Sequence, residues 1–175
     1  MEDTGYIGSP ERVRVLDGVP EALRLLAKAG YERIVVTNQS GVARGMFGER
    51  DVELVHAELQ RRLQAEGAAI EAFYYCSHLE GCDCRKPDLG LLRRAVAERG
   101  LELSRCVVFG DREGDLALAR NAGLPGILVN PIAPYAGPEP LFRAQNLLEG
   151  VRFWLSLPEA NPAPIAPAGE APLPR

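Results

Sequence analysis

The sequence has no long hydrophobic run and no targeting pattern at its amino terminus. No apolar stretch in the 175 residues approaches the roughly 20 residues that a membrane-spanning helix needs. Residues 1–5, Met-Glu-Asp-Thr-Gly, lack a positive region followed by an apolar core, so we predict no signal peptide. A net charge of −4 gives no general affinity for nucleic acid or anionic membranes, so any anion recognition is expected to be local.

Cysteine and histidine are scarce, with four and two residues respectively. Three of the cysteines fall in one short stretch, which does not suit a disulfide framework and fits a reducing compartment. We therefore expect a cytoplasmic protein. The fourth, Cys106, lies in an apolar run and is predicted to be a core thiol.

The composition is that of a soluble globular protein, with 46 % hydrophobic and 25 % charged residues and no internal repeat. The length suits one domain with a single core, which we assign to residues 1–157. Residues 158–175 are rich in Pro and Ala and contain few large apolar groups. We predict that they form a disordered tail.

Helical and strand-like patterns alternate along the chain. The predicted helices are Pro20–Ala29, Glu49–Glu66, Leu89–Arg99, Leu116–Ala122 and Ala144–Leu157. The predicted strands are Arg33–Val36, Ala69–Tyr75, Arg105–Phe109 and Gly126–Val129, with Arg12–Leu16 as a weaker extended candidate. This alternation predicts an α/β fold, with a Rossmann-like parallel sheet and helices on both faces.

One stretch contains four residues of the kinds that bind zinc. Cys76, His78, Cys82 and Cys84 lie within nine residues, and Cys3His is a standard ligand set of closed, tetrahedral structural zinc sites. The alternative is a group of buried thiols or a disulfide. We favour zinc because of the ligand spacing.

Polar clusters follow the predicted strands, and they lie before and after the zinc stretch in the sequence. They are Thr37–Ser40, the loop through Arg44, the pair Arg85-Lys86, and Asp111–Asp115. Open α/β sheets bind ligands at the carboxyl ends of their strands. Hydroxyl, amide and cationic groups suit phosphate oxygens, and a carboxylate after a strand suits magnesium, so the clusters together favour phosphoryl transfer. Individually, each cluster could instead be an Asx turn or a helix cap.

These motifs resemble those of the haloacid dehalogenase (HAD) superfamily of phosphatases. Within it, the chain resembles the zinc-containing family of D-glycero-D-manno-heptose 1,7-bisphosphate 7-phosphatases, and the resemblance runs from Gly5-Tyr6-Ile7 through Val129. The matching segments are residues 37–45 (Thr-Asn-Gln-Ser-Gly-Val-Ala-Arg-Gly), the four zinc ligands, residues 84–87 (Cys-Arg-Lys-Pro) and residues 110–115 (Gly-Asp-Arg-Glu-Gly-Asp).

The resemblance implies roles for individual residues. Thr37 and Lys86 would steady the transferred phosphoryl group, Asp111 would bind magnesium, and Asp115 would orient the metal's surroundings. Arg85 would aid catalysis through substrate recognition. The residues expected to bind substrate are Thr37, Asn38, Gln39, Ser40, Arg44, Arg85, Lys86 and Arg112. The implied partner is a small sugar phosphate, and the implied oligomeric state is a monomer.

One family motif is missing. The family begins with a central strand ending in Asp-x-Asp-Gly-Thr, whose first Asp attacks phosphorus and whose second acts as general acid and base. In this sequence no two aspartates are separated by one residue. We therefore expect the chain as printed to lack phosphatase activity. As the explanation, we favour a misplaced start or a truncation over a natural loss of catalysis.

Two rival functions stay open. Histidinol phosphate phosphatases share the zinc and Cys-Arg-Lys-Pro motifs, although Arg44 favours a substrate with a second phosphate. A non-catalytic sugar-phosphate-binding protein would also fit the missing aspartates. In the family the missing strand is central, so its removal would leave neighbouring strands unpaired and the core open, a defect that we do not expect a protein evolved for binding to keep.

Overall fold

The computed structural model describes residues 6–130 and 135–160. The chain divides into two compact units at the Arg85–Lys86 bond. The boundary separates the two cations that the sequence places side by side, so Arg85 belongs to the first unit and Lys86 to the second.

The described residues of the first unit form two parallel strands and three α-helices. They are α1 (Val19–Lys28), β1 (Ile34–Asn38), α2 (Ser40–Ala43), α3 (Glu49–Ala65) and β2 (Ala72–Cys76), preceded by a 3-10 turn over Pro10–Arg12. β1 and β2 pair in parallel, with Val35 opposite Phe73 and Asn38 opposite Cys76. Both strands therefore end at the same edge, where residue 37 and the first predicted zinc ligand lie.

The core of the first unit lies between its helices and its strands. One cluster of its buried residues consists of Leu23, Leu63, Ala68 and Ile70. Val35 and Phe73 from the two strands pack against them. His56 of α3 stacks on Phe73 with ring centroids 4.5 Å apart, so this histidine packs against the sheet.

The second unit contains a three-stranded parallel sheet in the order β3-β4-β5. Its described α-helices and strands are α4 (Gly90–Arg99), β3 (Val108–Gly110), α5 (Glu113–Asn121), β4 (Gly126–Val129), β5 (Phe142–Ala144) and α6 (Leu147–Ser156), with 3-10 turns over Leu103–Arg105 and Pro158–Ala160. Ile127 and Leu128 in the central strand are completely buried. α4 and α5 pack through Leu89, Leu92 and Leu118.

The predicted α/β class and parallel pairing are confirmed, and five predicted helices and four predicted strands correspond to observed elements. Instead of one sheet, however, the described strands form two, with β1 and β3 each at the end of its sheet. All five residues of β1 are partly exposed. The sequence predicted a buried strand there. Among the described residues β1 has a strand neighbour only in β2, which explains the exposure of its apolar side chains.

Three local expectations differ from the structure. Arg12–Leu16 contains no strand, because the chain turns through Pro10–Arg12 instead. β5 was not predicted, since Phe-Arg-Ala is too short to show a pattern. Pro158–Ala160 forms a 3-10 turn with Ala160 buried, so the first residues of the predicted tail are folded. The rest of that tail, residues 161–175, lies outside the described residues.

No helix in the described parts of the chain is both long enough and apolar enough to cross a membrane.

Candidate active site and metal centre

The four predicted zinc ligands come together in the first unit. The Cys76 sulfur lies 2.9 Å from that of Cys84 and 3.6 Å from that of Cys82. Nδ1 of His78 lies 3.4 Å from the Cys84 sulfur and 3.7 Å from the Cys76 sulfur. All four ligand atoms lie within 4.8 Å of one another, which is a spacing that one metal ion can bridge.

The backbone around this cluster explains how a short loop brings its ligands together. Cys76 is the last residue of β2, and its carbonyl accepts a hydrogen bond of 2.7 Å from the backbone N–H of Gln39. Gly81 has a φ of +72°, a left-handed conformation that glycine adopts at little cost. The Arg85 guanidinium donates to the His78 carbonyl at 3.2 Å. The loop is thus fixed at the strand end, at its turn and at its exit.

The close packing of three thiols affects their ionisation. The hydrogen bond with Cys84 is the main cause that lowers the pKa of Cys82 to about 7. Burial, followed by the neighbouring sulfurs, raises the pKa of Cys84 to about 12. Three thiolates this close repel one another unless a cation lies among them. A divalent metal would supply that charge and favour the ionised form of all three.

The polar residues after β1 form a second group in the first unit. Thr37 lies on the strand, and its hydroxyl accepts a hydrogen bond of 3.3 Å from the Gln39 side chain. Ser40 is buried at the start of α2, and its hydroxyl donates to the Tyr6 hydroxyl at 3.5 Å. Arg44 follows that helix and is exposed. This strand end therefore offers hydroxyl, amide and guanidinium groups to an anion.

The second unit holds the remaining predicted residues at the end of β3. The ammonium of Lys86 forms an ion pair of 2.6 Å with Asp115, and both side chains are largely buried. The other Asp115 oxygen accepts a hydrogen bond of 3.2 Å from the Arg112 amide, which caps α5. Burial is the main cause that raises the pKa of Asp111. The negative charge of Asp115 raises this pKa further, while the positive charges of Arg112 and Lys86 lower it. The predicted residues of this unit therefore form one charged group.

Gly110, the last residue of β3, makes room for Asp115. A Cβ built on Gly110 would overlap the Cβ of Asp115 and lie 2.7 Å from its Cγ. Both residues are buried, so neither can move away into solvent. The glycine thus permits the carboxylate to lie against the end of the strand.

We expect Gly110→Ala to lower the free energy of unfolding by about 1–3 kcal/mol, because overpacking would displace Asp115 from Lys86. Denaturant unfolding would measure the loss. Gly114→Ala is the matched control, since its Cβ would meet only the Lys86 carbonyl at an ordinary 3.8 Å. An unchanged midpoint for Gly110→Ala would contradict the packing argument.

Sequence reasoning did not assign a role to Tyr6. The hydrogen bond with Ser40 is the main cause that lowers the pKa of its phenol, and the charges of Arg44 and Arg85 lower it further. Its only sequence signal was its place in the Gly5-Tyr6-Ile7 segment where the family resemblance begins. That signal did not distinguish a functional residue from a loop residue.

Comparisons with known proteins give the family of this chain. The HAD-hydrolase-like family model matches residues 83–131. The D-glycero-beta-D-manno-heptose-1,7-bisphosphate 7-phosphatase of Rhodopseudomonas palustris is 38 % identical over 130 residues, which cover 69 % of this chain and 72 % of the relative. The chain belongs to the HAD-like phosphatase family. The D-glycero-D-manno-heptose-1,7-bisphosphate 7-phosphatase of Thermosynechococcus vestitus is 39 % identical over 73 % of this chain and 72 % of its own length.

A solved structure of the same family is also similar. It is the D,D-heptose 1,7-bisphosphate phosphatase of B. bronchiseptica in complex with magnesium and phosphate. The TM-score is 0.79 at 28 % identity, covering 89 % of this chain and 91 % of the other. The HAD-like fold expected from the motifs is therefore confirmed.

Proposed function

We propose that this chain carries the substrate-binding residues of a phosphatase that converts D-glycero-D-manno-heptose 1,7-bisphosphate to heptose 1-phosphate. The observation that supports this substrate most strongly is the 38 % identity to a curated 7-phosphatase over 69 % of the chain. Relatives from other organisms with the same substrate in their names support it as well.

Thr37 and Lys86 would hold the phosphoryl group that is transferred. Lys86 lies in a largely buried ion pair with Asp115, so its ammonium is held in one position before a substrate arrives. The hydroxyl of Thr37 is fixed at the end of β1 by the Gln39 side chain. Phosphoryl transfer depends mainly on positioning and charge neutralisation, and a fixed cation and hydroxyl contribute to both.

Other polar residues would bind the rest of the substrate. Arg44 is exposed on the loop after α2 and would bind the second phosphate of a bisphosphate. Arg85 would bind substrate oxygens from the exit of the metal loop, where its guanidinium already donates to the His78 carbonyl. The remaining proposed substrate contacts are Asn38, Gln39, Ser40 and Arg112.

Asp111 is the proposed magnesium ligand. It follows β3, it is half-buried, and the neighbouring Asp115 raises its pKa, so a divalent cation would favour its ionised form. When bound, magnesium would neutralise negative charge on the transferring phosphoryl group. Asp115 would act indirectly, because its oxygens are already paired with Lys86 and the Arg112 amide.

The Cys76-His78-Cys82-Cys84 cluster is the proposed zinc site. Its donor set is a standard one for zinc, and tetrahedral Zn–S bonds of about 2.3 Å would place two sulfurs about 3.8 Å apart. The observed separation of 3.6 Å between Cys76 and Cys82 is close to that value. Four protein ligands leave no position for water, so the metal would be structural and would fix the segment leading to Arg85.

A second candidate function is supported by one observation, the absence of any Asp-x-Asp pair from the sequence. Without a nucleophile, this chain could bind a sugar phosphate and not cleave it.

Histidinol phosphate is the rival substrate, and it carries a single phosphate. The exposed guanidinium of Arg44 favours the bisphosphate over this rival.

The substrate assignment is tested by adding, before Met1, a family strand ending in Asp-x-Asp-Gly-Thr. We expect kcat/KM for the heptose bisphosphate to exceed that for histidinol phosphate by roughly 10-fold or more, because a charged hydrogen bond contributes about 1.5–3 kcal/mol. Arg44→Ala should reduce that preference, and Arg24→Ala, on α1, is the matched control. A higher kcat/KM for histidinol phosphate would overturn the assignment.

We also propose that the protein is a cytoplasmic monomer that acts on a small molecule. Its four cysteines are free, and three of them belong to the metal cluster. Free thiols arranged as metal ligands suit a reducing compartment.

A further inference from the structure

The backbone next to Lys86 can be anchored through few groups, because a proline follows it. A proline has no backbone N–H, so the carbonyl is the only main-chain hydrogen-bonding group of Pro87. The ammonium of Lys86 is paired with Asp115, but a lysine side chain is long and flexible. An ion pair at its tip therefore leaves the backbone at its base to be fixed by other contacts.

Helix α5 supplies such a contact from its last residue. The side-chain N–H of Asn121 donates a hydrogen bond of 3.2 Å to the Pro87 carbonyl, across 34 positions of sequence. Asn121 is exposed, so its side chain does not serve to fill the core. The bond anchors the only main-chain group through which residue 87 can be held.

One face of α5 follows the chain from Lys86 onward. Gly114, Leu118 and Asn121 have the spacing i, i+4 and i+7, which places them on the same side of a helix. A Cβ built on Gly114 would lie 3.8 Å from the Lys86 carbonyl oxygen, and Leu118 packs in one cluster with Leu89. The segment that starts at Lys86 is therefore contacted by the first turn, the middle and the end of α5.

We propose that Asn121 is a positioning residue that fixes Lys86 for phosphate binding by holding the Pro87 carbonyl. Asp115 holds the tip of the lysine side chain, and Asn121 holds the backbone at its base. The two contacts together keep the ammonium in one place. The part that concerns phosphate rests on the proposed function, whereas the part that concerns the position of Lys86 does not.

The test measures, by mass spectrometry, how fast sulfosuccinimidyl acetate acetylates the Lys86 amine in the full 175-residue chain. The only lysines in the sequence are Lys86 and Lys28, and Lys28 is exposed, so it is an internal reference. Asn121→Leu keeps a similar side-chain size and removes the N–H donor. We expect the ratio of the Lys86 rate to the Lys28 rate to rise roughly 5-fold, because the segment opens more often without this hydrogen bond.

Two variants separate positioning from a general effect on α5. Asn121→Gln keeps the carboxamide donor, so the ratio should stay within about 2-fold of that of the unaltered chain. Arg120→Leu introduces the same residue at the neighbouring exposed position and should also change the ratio less than about 2-fold. Thermal unfolding of each variant reports on stability separately. A lower Tm for Asn121→Leu with an unchanged ratio would overturn the positioning role, and so would an equal rise in either control.

A second arm tests the proposed function by itself. Inorganic phosphate added to the unaltered chain should slow acetylation of Lys86 and leave that of Lys28 unchanged. If phosphate has no effect on Lys86, its proposed role in phosphate binding is overturned. The ratios of the variants still decide whether Asn121 fixes the position of this lysine.

Discussion

The 175-residue chain is expected to release no measurable phosphate from heptose 1,7-bisphosphate, even with magnesium and zinc supplied. Removal of a catalytic nucleophile alone lowers rates on the order of 10⁶-fold, and this sequence has no Asp-x-Asp pair to act as nucleophile and general acid. Asp111 would be the one obvious carboxylate for magnesium among the proposed site residues. A steady-state phosphate-release assay measures the rate.

The control for this prediction is the chain with a family Asp-x-Asp-Gly-Thr strand added before Met1, in two versions. The version with both aspartates should turn over substrate, and the version with both changed to Asn should be as inactive as the unmodified chain. The pair separates loss of chemistry from loss of the strand's packing. Ordinary magnesium-dependent turnover by the unmodified chain would show that other residues supply the nucleophile.

Cys84→Ser is expected to remove zinc from the protein and to destabilise the first unit strongly. Structural zinc sites contribute roughly 10–16 kcal/mol in zinc-finger peptides, and even a loss of several kcal/mol would lower the Tm of a chain this size by about 10 °C or more. Cys84 is the ligand for which the structure shows the shortest sulfur contact, 2.9 Å to Cys76. Elemental analysis gives the zinc content, and thermal unfolding gives the shift.

Cys106→Ser is the matched control, because Cys106 is also partly buried but lies in the second unit, outside the metal cluster. Its thiol donates to the Glu102 carbonyl at 3.3 Å, a bond that a serine hydroxyl can also make. We expect full zinc content and a Tm change of less than about 4 °C. Zinc retained in Cys84→Ser at the level of Cys106→Ser would refute the assignment of the ligands.

The sequence predicted most helices and strands because their signals are local. Gly100, for example, follows the predicted helix of residues 89–99 and adopts a φ of +63°, as a helix-ending glycine does. The zinc ligands were predicted for a similar reason, since four ligands within nine residues have only a short loop to close. Those predictions needed no knowledge of distant contacts.

The features that the sequence did not reveal depend on contacts between distant segments. The proximity of Tyr6 to Ser40 joins residues 34 positions apart, and no spacing rule connects them. β5 is defined by pairing with β4, while its own three residues carry no periodicity. The family resemblance gave Lys86 and Asp115 separate roles, and it did not predict the ion pair between them.

Among the described strands, β1 and β3 each end a sheet, and both have apolar residues that are partly exposed. A strand that carries Asp-x-Asp-Gly-Thr would give an end strand a second neighbour and cover apolar surface. Its addition should therefore cover apolar surface as well as supply the two aspartates.

The most direct test of the account is ³¹P NMR of heptose 1,7-bisphosphate incubated with magnesium and the chain that carries the added Asp-x-Asp-Gly-Thr strand. The account predicts loss of the 7-phosphate signal, with heptose 1-phosphate accumulating only when both aspartates are present. An unchanged spectrum from a folded, zinc-loaded protein, or loss of the 1-phosphate instead, would contradict it.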